Sequence, residues 1–190
     1  MVAERPSDPD LVADQLGRPP RDVAEVAHRC PCGAPDVVAT RPRLSDGTPF
    51  PTLFYLTCPR ANAAVSTLEA RGWMRVMQQR LAEDETLARA YRAAHADYLS
   101  RRAALGSVPE IQGVSAGGMP NRVKCLHVLA AHSLAAGPGV NPLGDEVVAE
   151  ISPWWDRETC FGAALSRRAA GVGAGGEEDP AAVGPAGGLT

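Results

Sequence analysis

Cysteine and histidine are the residue types in this sequence whose positions favour a metal site. Thiolate and imidazole are groups that bind zinc, and cysteine thiolates hold iron–sulfur clusters. The sequence predicts a zinc ion or an iron–sulfur cluster as cofactor, with five candidate ligands: Cys30, Cys58, Cys125, His127 and His132. Since paired Cys-x-x-Cys motifs are absent from the sequence, the alternative that the cysteines are small buried hydrophobic residues stays open.

Helix geometry restricts which of these residues can share an ion. The pattern places Cys125 and His127 in a helix that begins at Pro120. On a regular helix their side chains would point about 200° apart, so they could not reach one ion. Cys125 and His132 share a face but lie about 10.5 Å apart along the axis, at the limit of reach. A site therefore requires fraying of the helix near Cys125, or the use of one histidine.

Cys125 is also the candidate nucleophile of a thiol-dependent enzyme. A thiol in the first turns of a helix, beside Lys124 and near His127, is favoured as the reactive thiolate. No Ser-His-Asp order and no glycosidase-like pair of carboxylates stands out in the sequence, and we interpret Glu69 and Asp97 as solvent-facing. Whether the protein is an enzyme is left open by these residues.

A third hypothesis is a non-enzymatic binding or adaptor domain with an anion site. Gly117 and Gly118 precede the predicted helix, and Arg122 and Lys124 lie in its first turn. Cations at this end oppose the helix dipole, and a bound phosphate or carboxylate would reverse that penalty while accepting backbone N–H groups. The alternative is that both cations pair with Asp or Glu elsewhere in the fold.

The elements that have to position these residues are those of an α+β fold, a three-stranded antiparallel meander followed by a bundle of about four helices. Apolar runs between turn sequences predict strands over 22–30, 36–41 and 52–58. Helical periodicity is found over 8–16, 62–71, 73–81, 84–105, 120–136 and from 142 onward. The first and third strands of a meander run in the same direction, so Cys30 and Cys58 would end at one edge, where a helix could bring Cys125.

Length and composition predict one domain. We expect a flexible N-terminus over 1–9, a single α+β domain over 10–151 and a mostly disordered Ala/Gly/Pro-rich tail over 152–190. The net charge of -3 excludes a general attraction to nucleic acid, and a protein partner stays open. The sequence shows no signal peptide and no apolar stretch near the roughly 20 residues of a membrane span, which predicts a cytoplasmic protein.

Several motifs carry a resemblance to a known family. The two longer ones are Thr-Pro-Phe-Pro-Thr-Leu-Phe-Tyr-Leu-Thr-Cys-Pro at 48–59 and Gly-Gly-Met-Pro-Asn-Arg-Val-Lys-Cys-Leu-His at 117–127. The shorter ones include Leu-Gly-Arg-Pro-Pro-Arg at 16–21 and Asn-Pro-Leu-Gly-Asp at 141–145. With them, residues 10–150 resemble a bacterial family known only as domain of unknown function 501. The resemblance implies one folding unit with family counterparts of Cys30, Cys125 and His127, and it implies no reaction.

Overall fold

The computed structural model describes residues 6–155, which form a three-stranded sheet and six α-helices. In chain order the elements are α1 (Asp8–Leu16), β1 (Val23–Arg29), β2 (Pro35–Thr40), β3 (Phe54–Leu56), α2 (Pro59–Ala70), α3 (Trp73–Glu83), α4 (Glu85–Leu105), α5 (Leu126–Ala136) and α6 (Pro142–Ile151). The strand order is β1-β2-β3 with both pairs antiparallel, which confirms the predicted meander and the α+β class. The predicted tail beyond residue 155, with Cys160, lies outside the described residues.

The central strand β2 is buried at all six positions, because both faces of the sheet are covered. Successive side chains of a strand point to opposite faces. Val37 and Ala39 belong to the main hydrophobic core, which also contains Leu129 of α5. Val38, between them, therefore points to the other face, where α1 packs against β2. The sheet thus separates a large helical core from a thinner layer under α1.

The starts of α4 and α6 follow the local signals in the sequence. Asp84 caps α4, since its side chain accepts hydrogen bonds from the backbone N–H groups of Thr86 and Leu87. Asn141 caps α6 in the same way by accepting from the N–H group of Gly144. Gly144 also allows α6 to approach α5, because a Cβ atom there would collide with the carbonyl oxygen of Leu129.

The start of the next helix differs from the prediction, because α5 begins at Leu126 and not at Pro120. Residues 117–125 form a compact loop instead, in which the N–H group of Lys124 donates to the carbonyl oxygen of Gly117 at 2.8 Å. The N–H group of Arg122 donates to the carbonyl oxygen of Gly118. A Cβ atom on Gly118 would lie 2.6 Å from the carbonyl oxygen of Arg122, which is too close for any side chain. Both glycines have positive φ, so the chain here turns back on itself before the helix starts.

Within residues 6–155, no helix combines the length and apolar character that crossing a bilayer requires.

Candidate metal site

Cys125 and His127 lie on the same side of the start of α5, contrary to the predicted separation of about 200° on one helix. Cys125 is the residue before the helix and has an extended backbone, with φ of -156° and ψ of 113°. Its side chain is therefore not bound by helical spacing, and its Sγ atom lies 3.9 Å from Nδ1 of His127. Because α5 begins only at Leu126, Cys125 lies outside the helix, as a shared site with His127 requires.

Glu69 of α2 completes a group that the sequence interpretation missed. Its Oε1 atom accepts a hydrogen bond from the N–H group of Leu126 at 2.7 Å and lies 3.3 Å from Nδ1 of His127. The interpretation of Glu69 as a solvent-facing residue is wrong, since its side chain is 24% exposed and faces α5. A signal was present, because Asn62, Ser66 and Glu69 form a polar stripe at the i, i+4, i+7 spacing of one helix face.

The three side chains present one sulfur, one nitrogen and one oxygen atom to a common point. These atoms all lie within 4.8 Å of one another, and this is the one such group of three found within residues 6–155. Around a tetrahedral zinc ion, bond lengths imply separations of about 3.6 Å for S–N pairs and about 3.4 Å for N–O pairs. The observed 3.9 and 3.3 Å differ from these values by a few tenths of an ångström.

The other ring nitrogen of His127 is held from the opposite side. Nε2 lies 3.2 Å from the carbonyl oxygen of Asn62 and 3.2 Å from Oγ of Ser66. A carbonyl oxygen can only accept a hydrogen bond, so Nε2 carries the proton in the neutral ring. The lone pair of Nδ1 is then directed toward Cys125 and Glu69. This is the arrangement by which proteins fix the tautomer of a histidine that binds a metal.

The charges around His127 favour its protonated form when no cation is present. The hydrogen bond with Cys125 raises the pKa of His127 to about 8, the negative charge of Glu69 acts in the same direction, and burial opposes both. An imidazolium thus balances the acidic groups in the metal-free protein. A metal ion would replace this proton, since a ligating histidine has to be neutral.

The other predicted ligands lie outside this group. Cys30 is buried next to Cys32, and burial is the main reason why its pKa rises to about 12. Cys58 is fully buried and immediately precedes α2. Both belong to the main hydrophobic core, as in the alternative interpretation of the cysteines as small apolar residues.

His132 is fully buried and occupies a different network. Its Nε2 atom lies 2.9 Å from Oδ2 of Asp97, and its ring stacks on Phe54 with centroids 5.8 Å apart. The interpretation of Asp97 as merely solvent-facing is therefore wrong, because it joins α4 to α5 through His132. His132 links core elements and does not face Cys125.

The four residues of the predicted anion site lie in the loop before α5. Gly117 and Gly118 close that loop, so they are not the residues at the helix start. Arg122 and Lys124 are exposed and line a shallow groove with Arg75 of α3. None of these three cations forms an ion pair with a carboxylate of residues 6–155, so the alternative of pairing with Asp or Glu is not observed there.

Comparison with known protein families identifies the family of this chain. A family model described as "Protein of unknown function (DUF501)" matches residues 26–149, a range that includes Glu69, Cys125 and His127. No curated protein and no solved structure matches the chain. The description of the family assigns neither a reaction nor a ligand, so functional conclusions depend on the geometry of the site.

Proposed function

We propose that this protein, which belongs to the DUF501 family of proteins of unknown function, binds one zinc ion through Glu69, Cys125 and His127. The observation that carries the proposal is the orientation of His127. Its Nε2 atom is engaged by Asn62, while Nδ1 faces both a thiol and a carboxylate. Glu69 is positioned in turn by the N–H group of Leu126, which is the kind of outer-shell support that ligating carboxylates receive.

The donor set favours a single ion over an iron–sulfur cluster. Clusters are held mainly by several cysteine thiolates, whereas this group contains one. A sulfur, an imidazole and a carboxylate together suit zinc, which accepts all three ligand types.

Three protein ligands would leave the fourth position of a tetrahedral ion open. Structural zinc sites take four protein ligands, whereas catalytic sites keep a position for water or substrate. The side chains of Glu69 and His127 are 24% and 25% exposed, so the group is reached by solvent. Arg122 and Lys124 lie just before Cys125 in the chain, and we propose that they attract an anionic ligand toward the open position.

A second candidate is a thiol-dependent enzyme with Cys125 as nucleophile. The specific observation is that Cys125 precedes α5 directly and lies beside a histidine whose pKa is raised to about 8. A positive imidazolium and the amino end of a helix both stabilise a thiolate. The carboxylate of Glu69 in the same group works against this reading, because it disfavours a second negative charge unless a cation is bound.

Cobalt(II) titration of the metal-free, full-length protein separates the two candidates. A bound cobalt ion with one thiolate ligand gives intense thiolate-to-metal absorption, which zinc then displaces. We expect saturation at one ion per chain and loss of the absorption in Cys125→Ser. Absence of cobalt absorption would reject the metal site. For the second candidate, alkylation of Cys125 by iodoacetamide no faster than that of a free thiol near neutral pH would reject a nucleophilic role.

A further inference from the structure

A cleft on the α1 side of the sheet contains none of the proposed metal ligands. It has a volume of about 470 Å³, within the range of roughly 300 to 1,000 Å³ that is typical of small-molecule sites. Its lining includes Leu16, Arg18, Arg21, Val38, Thr40 and Tyr55. The cleft joins the segments 16–21 and 48–59, which are two of the sequence motifs that the proposed metal site leaves unused.

The apolar part of the cleft offers a flat surface to a ligand. The side chain of Val38 is buried below it, and the rings of Phe50 and Tyr55 stack with centroids 6.3 Å apart and an interplanar angle of 14°. Tyr55 is 38% exposed, which is unusual for a large hydrophobic residue of this fold. An exposed aromatic face beside an apolar floor is suited to stacking with another flat ring.

A threonine hydroxyl group lies in the same cleft. Thr40 is only 5% exposed, and its backbone N–H group bonds to the carbonyl oxygen of Leu53. Its side-chain hydroxyl makes no hydrogen bond with any residue of 6–155. A hydroxyl group can both donate and accept a hydrogen bond, so Thr40 can pair with a polar atom of a ligand at the cleft floor.

Two arginine side chains give the cleft its charge. Neither Arg18 nor Arg21 forms an ion pair with a carboxylate in the described part of the chain. The pKa of Asp46 is lowered mainly by hydrogen bonds from Thr48, and Arg21 contributes less. The guanidinium groups are therefore available to an anion, which arginine binds through paired N–H donors.

We propose that this cleft binds a small aromatic anion. The ring would stack on Tyr55, the anionic group would meet Arg18 and Arg21, and a polar atom of the ligand would bond to Thr40. A phosphorylated nucleoside and a free aromatic carboxylic acid share this chemistry. The assignment is independent of the metal site, because the two sites have no residue in common.

The fluorescent probe 1-anilinonaphthalene-8-sulfonate, an aromatic anion, tests the cleft in the full-length protein. We expect a saturable increase in fluorescence with one site per chain. The double variant Arg18→Gln/Arg21→Gln should bind at least tenfold more weakly, and Tyr55→Ala should also weaken binding. Arg89→Gln is the matched control, since Arg89 is an exposed arginine of α4 far along the chain from the cleft segments. Unchanged binding in the double variant would overturn the proposal.

Competition identifies the kind of aromatic anion. Displacement of the probe by adenosine monophosphate indicates a nucleotide, and displacement by 4-hydroxybenzoate indicates a free aromatic acid. Displacement by neither, or equally well by inorganic phosphate without a ring, would contradict the assignment. Repeating the titration with Cys125→Ser should give unchanged probe binding, which keeps a failure of the metal site distinct from a failure of the cleft.

Discussion

The Sγ atom of Cys125 lies 3.9 Å from Nδ1 of His127, although only one residue separates them in the chain. This contact exists because Cys125 has an extended backbone and α5 begins one residue later. Glu69 stabilises that helix start by accepting the N–H group of Leu126, and the same oxygen lies 3.3 Å from His127. The start of α5 and the candidate metal site are therefore built from the same contacts.

Two substitutions at Glu69 separate its structural role from its role as a ligand. Gln keeps an oxygen atom that can accept from Leu126 N–H but loses the negative charge, whereas Ala loses both. We expect Glu69→Ala to lower the free energy of unfolding by about 1 kcal/mol, and Glu69→Gln to have a smaller effect. Both should weaken zinc binding at least tenfold. Urea unfolding of metal-free protein and zinc titration measure these effects, and wild-type zinc affinity in Glu69→Gln would rule out Glu69 as a ligand.

Zinc should stabilise the folded protein, and this stabilisation should depend on Cys125. At a free zinc concentration of 100 times the Kd, binding to the native state alone adds about 2.7 kcal/mol. A chelator should remove this gain from the wild type, and Cys125→Ser should lack it from the start. Cys32→Ser is the control, since Cys32 is half-buried but lies outside the group. Equal zinc-dependent shifts in melting temperature for Cys125→Ser and Cys32→Ser would argue against the site.

Because α6 packs closely on α5, one added methyl group at Gly144 should lower the stability of the protein. Gly144→Ala would place a Cβ atom against the carbonyl oxygen of Leu129, which belongs to helix backbone and cannot move aside. We expect a loss of about 1 to 3 kcal/mol, the usual cost of overpacking. Glu150→Ala, at an exposed position of the same helix, should change stability by less than about 0.5 kcal/mol. Denaturant unfolding of both variants compares the two, and equal stabilities would contradict the described contact.

The burial of His132 predicts a loss of stability in mild acid. Burial is the main cause that lowers the pKa of His132 below its ordinary value of 6.5, against the opposing effect of Asp97. As the pH falls below about 6.5, the unfolded chain gains a proton there that the native protein does not. The free energy of unfolding should therefore fall between about pH 6.5 and pH 5.

A variant isolates this contribution from those of the other histidines. In His132→Gln, the decrease in unfolding free energy over the same pH range should be smaller than in the wild type, because position 132 no longer titrates. Denaturant unfolding at several pH values measures both slopes. Identical slopes in the two proteins would mean that His132 is not held neutral by its surroundings.

Local sequence signals were sufficient for most of the fold. Apolar strands separated by turn sequences predicted the meander, and Asp84 and Asn141 mark the starts of α4 and α6 as capping residues. The start of α5 was placed six residues too early, because Pro120 is compatible with the first turn of a helix. The hydrogen bond from Lys124 to Gly117, which closes the loop instead, is a matter of backbone geometry that residue types do not specify.

The site depended on the same boundary. If Cys125 belongs to a regular helix, its side chain and that of His127 point in nearly opposite directions. The sequence prediction therefore does not place both residues at one ion. Glu69 belongs to α2, which is far from α5 in the sequence but packs against it in the fold. Its contact with α5 therefore follows from tertiary packing and not from spacing in the sequence. Cys125 and His127 were nevertheless identified as candidates, because thiol and imidazole groups bind metals in whatever fold presents them.

X-ray absorption of the zinc-loaded protein tests the central claim most directly, because it reports the atoms bound to the ion. The proposed site predicts one sulfur at about 2.3 Å and nitrogen or oxygen neighbours at about 2.0 to 2.2 Å. The ion should have four ligands in all, three from the protein and one water or substrate atom at the open position. Loss of the sulfur neighbour in Cys125→Ser would complete the result. A zinc ion with two or more sulfur neighbours, or with none, would contradict the site formed by Glu69, Cys125 and His127.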